Sequence, residues 1–240
     1  MIKGYYNSIL STMWKILEPY FELLFPVVCP CCGSSLQQSD KHLCNWCARD
    51  RFEYSGVDPD LIMPDSVKLQ YSMWKFDKGG HLQQMLHNLK YNYLQSVGVD
   101  LGSILAEKFL SVHHIQLDEI FRHAEPMIVP VPLHKSKRRN RGFNQARALA
   151  KGFAKKSGWH IIPKGNVLRV KRTKTQTGLS AEKRTGNLKN AFLVKEKSDL
   201  ENKVPIIIDD VFTTGATTFE LAGTLHKISS PAVVVTVAKA

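Results

Sequence analysis

Residues 204–217, VPIIIDDVFTTGAT, run from an unbroken apolar stretch straight into two carboxylates, then into hydroxyl residues around Gly215. An apolar run this short, bounded by turn residues, reads as a strand buried on both faces. TTFELAGTLHKI follows as a helix and AVVVTVA as a further strand. A strand, a helix and a second strand in that order imply a crossover connection and a parallel sheet.

The rest of the chain repeats this alternation. VKLQYSMWKF reads as a strand ended by Gly79 and Gly80. HLQQMLHNLKYNYL and VGVDLGSILAEKFLSVHH read as helices, the first with Leu82, Met85, Leu86 and Leu89 on one face. MIVPVPL is a buried strand with prolines near its end, NQARALAKGFAKK a helix, and VLRV and AFLV are short strands. The expected fold class is α/β, a mainly parallel sheet flanked by helices. At 240 residues the chain holds one such domain, expected over 61–240, and a smaller module over 1–60. Ligands of open α/β sheets bind outside the carboxyl ends of the strands, near the switch in strand order.

All five cysteines fall between residues 29 and 47. Cys29 with Cys32 and Cys44 with Cys47 form two C-x-x-C pairs, and four thiolates so spaced can close tetrahedrally on a structural Zn²⁺. Disulfides and a redox C-x-x-C are the alternatives. The odd count and the lack of an export signal weigh against disulfides, and no thioredoxin-like strand and helix flank either pair. Cys31 is left over. Residues 9–28 are apolar in part, but Lys15, Glu18, Glu22, Pro19 and Pro26 interrupt them. They fit an amphipathic helix better than a transmembrane segment, which needs about 20 predominantly apolar residues. A cytoplasmic location is expected.

The net charge of +12 is concentrated in two places. Residues 134–147 hold six Lys or Arg and no acid, and residues 169–189 hold seven against Glu182 alone, so these segments account for the whole excess. A positive field of this kind gathers anions. Solvated basic loops and a general nucleic-acid surface remain open on charge alone.

The turn from Thr213 through Thr214, Gly215, Ala216 and Thr217 can aim backbone amides and hydroxyls at a phosphate where a helix begins. Asp209 and Asp210 would repel that phosphate, so they face something else: the vicinal hydroxyls of a sugar or a Mg²⁺ ion. A sugar phosphate satisfies both halves. An Asx turn with helix caps and no ligand is the bland alternative.

This stretch resembles the phosphoribosyl pyrophosphate (PRPP) motif of type I phosphoribosyltransferases. The cysteine pairs, LKY at 89–91, VPVPLHKSKRRNRGFNQA at 129–146 and RTKTQTGLSAEKRTGNLKNAF at 172–192 extend the resemblance to the ComF family of competence-associated, phosphoribosyltransferase-like proteins. The resemblance implies that Asp209 and Asp210 hold the ribose hydroxyls and that residues 213–217 cradle the 5′-phosphate. It implies further that 129–143 is the pyrophosphate loop and 172–184 a loop closing over PRPP, with Arg139, Arg141, Lys174 and Lys90 facing pyrophosphate and Mg²⁺ completing the site.

Two functions from different classes follow. One is a phosphoribosyltransferase acting by positioning and electrostatic stabilisation, although no segment reads as an acceptor pocket. The other is a non-catalytic accessory of DNA-uptake machinery that keeps PRPP or a nucleotide as a structural or regulatory ligand. It would bind single-stranded DNA or proteins of that machinery through its zinc module and basic surfaces, with stacking from aromatics such as Trp46, Trp74 or Phe143. A PRPP-sensing regulator is a third reading, weakened by the lack of a DNA-reading helix.

Overall fold

A computed structural model of the chain describes residues 27–36, 42–56, 58–91, 95–171 and 189–240. Its elements are α1 (Asn45–Arg49), β1 (Val67–Lys75), α2 (His81–Tyr91), α3 (Gln95–Ile120), β2 (Glu125–Pro130), α4 (Lys135–Arg141) and α5 (Gln145–Ser157). They continue with β3 (His160–Ile161), β4 (Val167–Arg169), β5 (Phe192–Val194), β6 (Lys203–Phe212), α6 (Ala216–Leu225) and β7 (Ala232–Lys239). Five strands form one sheet in the order β1-β7-β6-β2-β3, and every pairing in it is parallel. The α/β fold expected from the alternating pattern is present.

The two central strands explain themselves by burial. Val204 to Ile208 and Ala232 to Ala238 are buried throughout, because both faces of the sheet are covered. Ile206, Ile208, Val233, Val235 and Val237 pack on one side with Leu101, Leu105, Phe109 and Phe153 of α3 and α5. Ile207 and Val234, one residue out of phase, pack on the other side with Leu221, Ala222 and Leu225 of α6. This is the two-residue period of a strand, and each fully buried side chain of this size contributes about 1.5–3 kcal/mol.

Helices α3 and α5 approach backbone to backbone. A Cβ added at Gly102 would run into the Leu149 carbonyl oxygen, and one at Gly152 into the Val99 carbonyl oxygen. Ser103 Oγ donates to the Gly152 carbonyl at 3.1 Å across the same contact.

Two features depart from the sequence reading. β4 and β5 form a separate antiparallel ribbon, pairing Val167 with Val194 and Arg169 with Phe192; periodicity identifies strands without saying which partner each takes. The first basic segment is partly helical, as α4, with Ser136 N donating to His134 Nδ1 at its start. Lys and Arg are good helix formers, so a run of them need not be a loop.

The small cysteine module packs on the body. Cys29, Cys31, Leu43 and Cys47 belong to the same hydrophobic cluster as Trp74, Leu82 and Met85. The His42 backbone N–H donates to Asp100 Oδ2 of α3 at 2.9 Å, and His42 Nδ1 lies 2.8 Å from the same oxygen.

Strand order locates the crevice. From β2 the chain moves outward to β3, whereas from β6 it moves the opposite way to β7. The switch therefore lies between the carboxyl ends of β2 and β6, where Pro130 pairs with Ile208 and Val131 N donates to the Ile208 carbonyl at 2.9 Å. The next residues are the first basic segment on one side and Asp209 on the other.

Candidate functional site

β6 delivers both carboxylates to this crevice. Asp210 is buried and Asp209 is only partly exposed. The backbone N–H of Asp210 donates to Asp209 Oδ1 at 2.9 Å, which fixes the first carboxylate against its neighbour. Asp77 caps the start of α2 by accepting from Leu82 N and Gln83 N. The buried Leu82, Met85, Leu86 and Leu89 then seat that helix on the core. Its last turn carries Lys90, whose Nζ lies 2.5 Å from Asp210 Oδ2.

The two aspartates therefore differ electrically. Burial, and the negative charge of Asp210 beside it, push the Asp209 carboxyl well above the usual carboxylate range. Burial acts the same way on Asp210, but the Lys90 ammonium, its hydrogen bond and the hydrogen bond with Asp209 outweigh it and hold Asp210 low. The pair titrates as a unit. Of the two, Asp210 is the more readily ionised, with Lys90 beside it.

Further cations surround the pair. Arg141 of α4 acts on Asp210, and Arg169 of β4 feels the charge of Asp209 while packing over the Phe192 ring with 5.6 Å to its centroid. Lys137 is held below the usual lysine range by burial and then by the positive charges of Arg169, Arg141 and Lys90. Four of the chain's bases thus converge on the crevice. Lys90 and Arg141 were singled out from sequence, whereas Lys137 and Arg169 were counted only as charge. Lys137 carried a local signal, one helical turn from Arg141, whereas Arg169 reaches the crevice through the pairing of β4 with β5. Arg139 is exposed on α4. Lys174 and the segment 172–184 lie outside the described residues.

The turn after β6 has the expected shape. Thr213 and Thr214 are exposed at its mouth, and Gly215 is buried with φ +73°, a left-handed conformation that suits glycine. A Cβ there would come within 2.5 Å of the Phe219 ring. Gly215 caps α6 without a side chain, so the amides of the helix's first turn, at Ala216 and Thr217, are left for an anion. Thr218 Oγ1 is used internally, donating to the Gly215 carbonyl at 3.0 Å.

At the other end of the chain, the sulfurs of Cys29, Cys32, Cys44 and Cys47 all lie within 4.8 Å of one another. Cys32 Sγ and Cys44 Sγ are 3.7 Å apart, close to the roughly 3.8 Å edge of a tetrahedron with 2.3 Å metal–sulfur bonds. The first pair sits in a tight hairpin, with Gly33 N donating to the Cys29 carbonyl at 2.8 Å, and Cys44 caps α1. Hydrogen bonding with Ser34, acting against burial, pulls Cys32 down to about 6. Burial pushes the Cys44 and Cys47 thiols up. Four converging sulfurs, three of them buried or in tight turns, form a donor set that fits a divalent, thiophilic ion such as zinc, which would hold them deprotonated. Cys31 is buried outside the set, and burial raises its thiol to about 11.

Of the aromatics considered for base stacking, Trp46 is 57% exposed on α1. Trp74 is 2% exposed, with Phe52 packed on its ring, so it cannot stack on a base; its place on an inward-facing strand position decided this. Phe143 is 8% exposed. The amphipathic pattern in residues 9–24 lies outside the described residues. Among the described residues no helix is long and apolar enough to cross a membrane.

No family model matches the chain. Individual relatives do. It is 32% identical to Competence protein F of Haemophilus influenzae, over 83% of this chain and 79% of that protein. It is 29% identical to DNA utilization protein YhgH of Escherichia coli K12, over 86% and 87% of the two chains. It is 24% identical to Competence protein ComFC of Bacillus subtilis, over 79% and 74%. With this similarity running over most of both chains, and with the paired cysteines and the Asp-Asp turn in the arrangement described, the chain belongs to the ComF family.

Proposed function

We propose that the chain is a PRPP-binding, phosphoribosyltransferase-like protein of natural competence and DNA uptake. The observation that supports this best is the Asp209–Asp210 pair at the strand-order switch, directly before a turn whose helix amides have no side-chain cap. Asp209 and Asp210 accept hydrogen bonds from the ribose hydroxyls, and the amides and hydroxyls of 213–217 hold the 5′-phosphate. Lys90, Lys137 and Arg141, with Arg139 and Lys174 from the same basic segments, face the pyrophosphate. The competence and DNA-utilization names of the relatives support the biological setting.

Asp209 and Asp210 are the carboxylates available to Mg²⁺ in the crevice, an ion commonly held by one or two carboxylates plus substrate phosphates. When bound, it supplies charge neutralisation of the pyrophosphate. The chain's own contribution is positional. Its cations stabilise the electron pair that leaves with pyrophosphate as the C1–O bond breaks. The carboxylates hold the pentose while an acceptor forms the new bond at C1 and gives up its proton. A cytoplasmic location is proposed with this reading, on the reduced thiols that the cysteine cluster requires.

A non-catalytic accessory that binds single-stranded DNA is the second reading, favoured by the exposure of Trp46 beside the cysteine cluster and by the concentrated positive charge. Incubation with PRPP, Mg²⁺ and a panel of bases and amines, followed by pyrophosphate release, separates the two. Steady turnover with one acceptor supports the transferase. Binding of PRPP without turnover, together with salt-sensitive DNA binding that survives Asp209→Asn, supports the accessory.

A further inference from the structure

Pro30 and Cys31 lie between the first two cysteines of the sulfur set, and α2 grips the carbonyl of each. His81 Nδ1 lies 3.0 Å from the Cys31 carbonyl oxygen, and Asn88 Nδ2 donates to the Pro30 carbonyl at 3.5 Å. A carbonyl only accepts, so His81 Nδ1 carries the proton of the first bond. Apolar contact reinforces the joint, because Cys29 and Cys31 share a hydrophobic cluster with Leu82 and Met85 of the same helix.

The helix reaches the aspartate crevice from its other side. His81 and Asn88 are close to two turns apart at about 3.6 residues per turn, so they share one face. Lys90 is about two and a half turns from His81, which puts it on the opposite side and about 14 Å further along the axis. Leu82, Leu86 and Leu89 are buried between these two sides. The cysteine hairpin therefore braces one flank of α2 while Lys90 Nζ meets Asp210 Oδ2 from the other at 2.5 Å. A charged hydrogen bond this short depends on placement, and a rigid helix packed at both flanks carries a displacement from one to the other.

We propose that His81 and Asn88 are positioning residues, through which closure of the four sulfurs on a metal ion sets the place of Lys90 beside Asp210. With its sulfurs on one ion the hairpin presents the Pro30 and Cys31 carbonyls in fixed positions. Without the ion those carbonyls no longer hold the helix, and Lys90 loses its register with the crevice. PRPP serves only as a probe of the crevice, on the function proposed above; the bracing of α2 stands without it.

Hydrogen exchange on the full-length, zinc-loaded protein tests the joint. One variant carries His81→Ala with Asn88→Ala, and a second, His81→Gln, keeps an N–H donor. His81 is exposed and Asn88 partly so, and neither belongs to the sulfur set, so elemental analysis should find zinc retained in both. Exchange over residues 81–90 is expected to quicken tenfold or more in the double variant, with β7 unchanged, and to stay slow in His81→Gln. Stripping the metal with a chelator should quicken the same segment in wild type and alter it little further in the double variant. The PRPP dissociation constant, measured with Mg²⁺ by calorimetry, should rise fivefold or more in the double variant, about the lower bound for coupled sites. Wild-type protection of 81–90 in the double variant overturns the proposal. So does stripping that quickens β7 as much as α2, or that acts equally on wild type and double variant, and so does unaltered PRPP affinity once α2 exchanges fast. A wild-type protein that binds no PRPP would remove the function proposed above, and the exchange data would still decide the bracing of α2.

Discussion

Lys90 Nζ lies 2.5 Å from Asp210 Oδ2, so the last turn of α2 neutralises the second of two adjacent carboxylates at the end of β6. Lysine is favoured in that turn by the helix dipole as well. The ammonium favours ionisation of Asp210 over Asp209, and much of the site's behaviour follows from that difference.

Lys90→Met should destabilise the protein. Breaking a buried pair costs roughly 3–5 kcal/mol, and the lower end applies because the Lys90 side chain is 24% exposed. Asp210 is held low in the folded state, so its pairing contributes stability above the unfolded aspartate range and loses it as pH falls through the folded value. Denaturation of wild type and variant at several pH values should show a large gap near pH 7 that closes in acid. A gap independent of pH would mean that the ion pair is not its source.

Asp209→Asn should do the opposite to the ligand-free protein. A carboxyl whose pKa is raised by folding contributes stability at low pH and loses it as pH rises through the folded value. The variant should therefore melt higher than wild type at pH 8 and equal it in acid, by calorimetry. Its PRPP-dependent melting shift, measured with Mg²⁺, should disappear. Such a trade of stability for ligand binding is common at functional sites.

Gly215→Ala tests the turn. Left-handed φ costs an alanine roughly 1–2 kcal/mol, and its Cβ would press on the Phe219 ring at 2.5 Å. Chemical denaturation should show at least that loss, and PRPP binding should weaken with it. Phe219→Leu in the same chain should recover part of the stability by making room. An unaltered Gly215→Ala protein would show that the turn is looser than described.

Cys29→Ser and Cys47→Ser should each lose the metal, read by elemental analysis as a fall from about one zinc per chain. Both should also lower the melting temperature, because these residues sit in the main hydrophobic cluster. Cys31→Ser should keep the metal, since Cys31 is outside the four-sulfur set. Loss of zinc from Cys31→Ser alone would reassign the ligands.

The central strands were legible from sequence because Val204–Ile208 and Ala232–Ala238 are apolar on both faces, and few other elements produce such runs. The cysteine set was legible from spacing alone. Arg169 was hidden because its role depends on β4 pairing with β5 across a long insertion, which no local pattern encodes. Trp74 misled for a related reason: an aromatic on a strand can face either way, and here it faces the core.

A crystal of the protein soaked with PRPP and Mg²⁺ locates the sugar phosphate. Density for the 5′-phosphate is expected against the amides of residues 213–217, with the ribose hydroxyls on Asp209 and Asp210. PRPP bound elsewhere, with that turn unfilled, would contradict it.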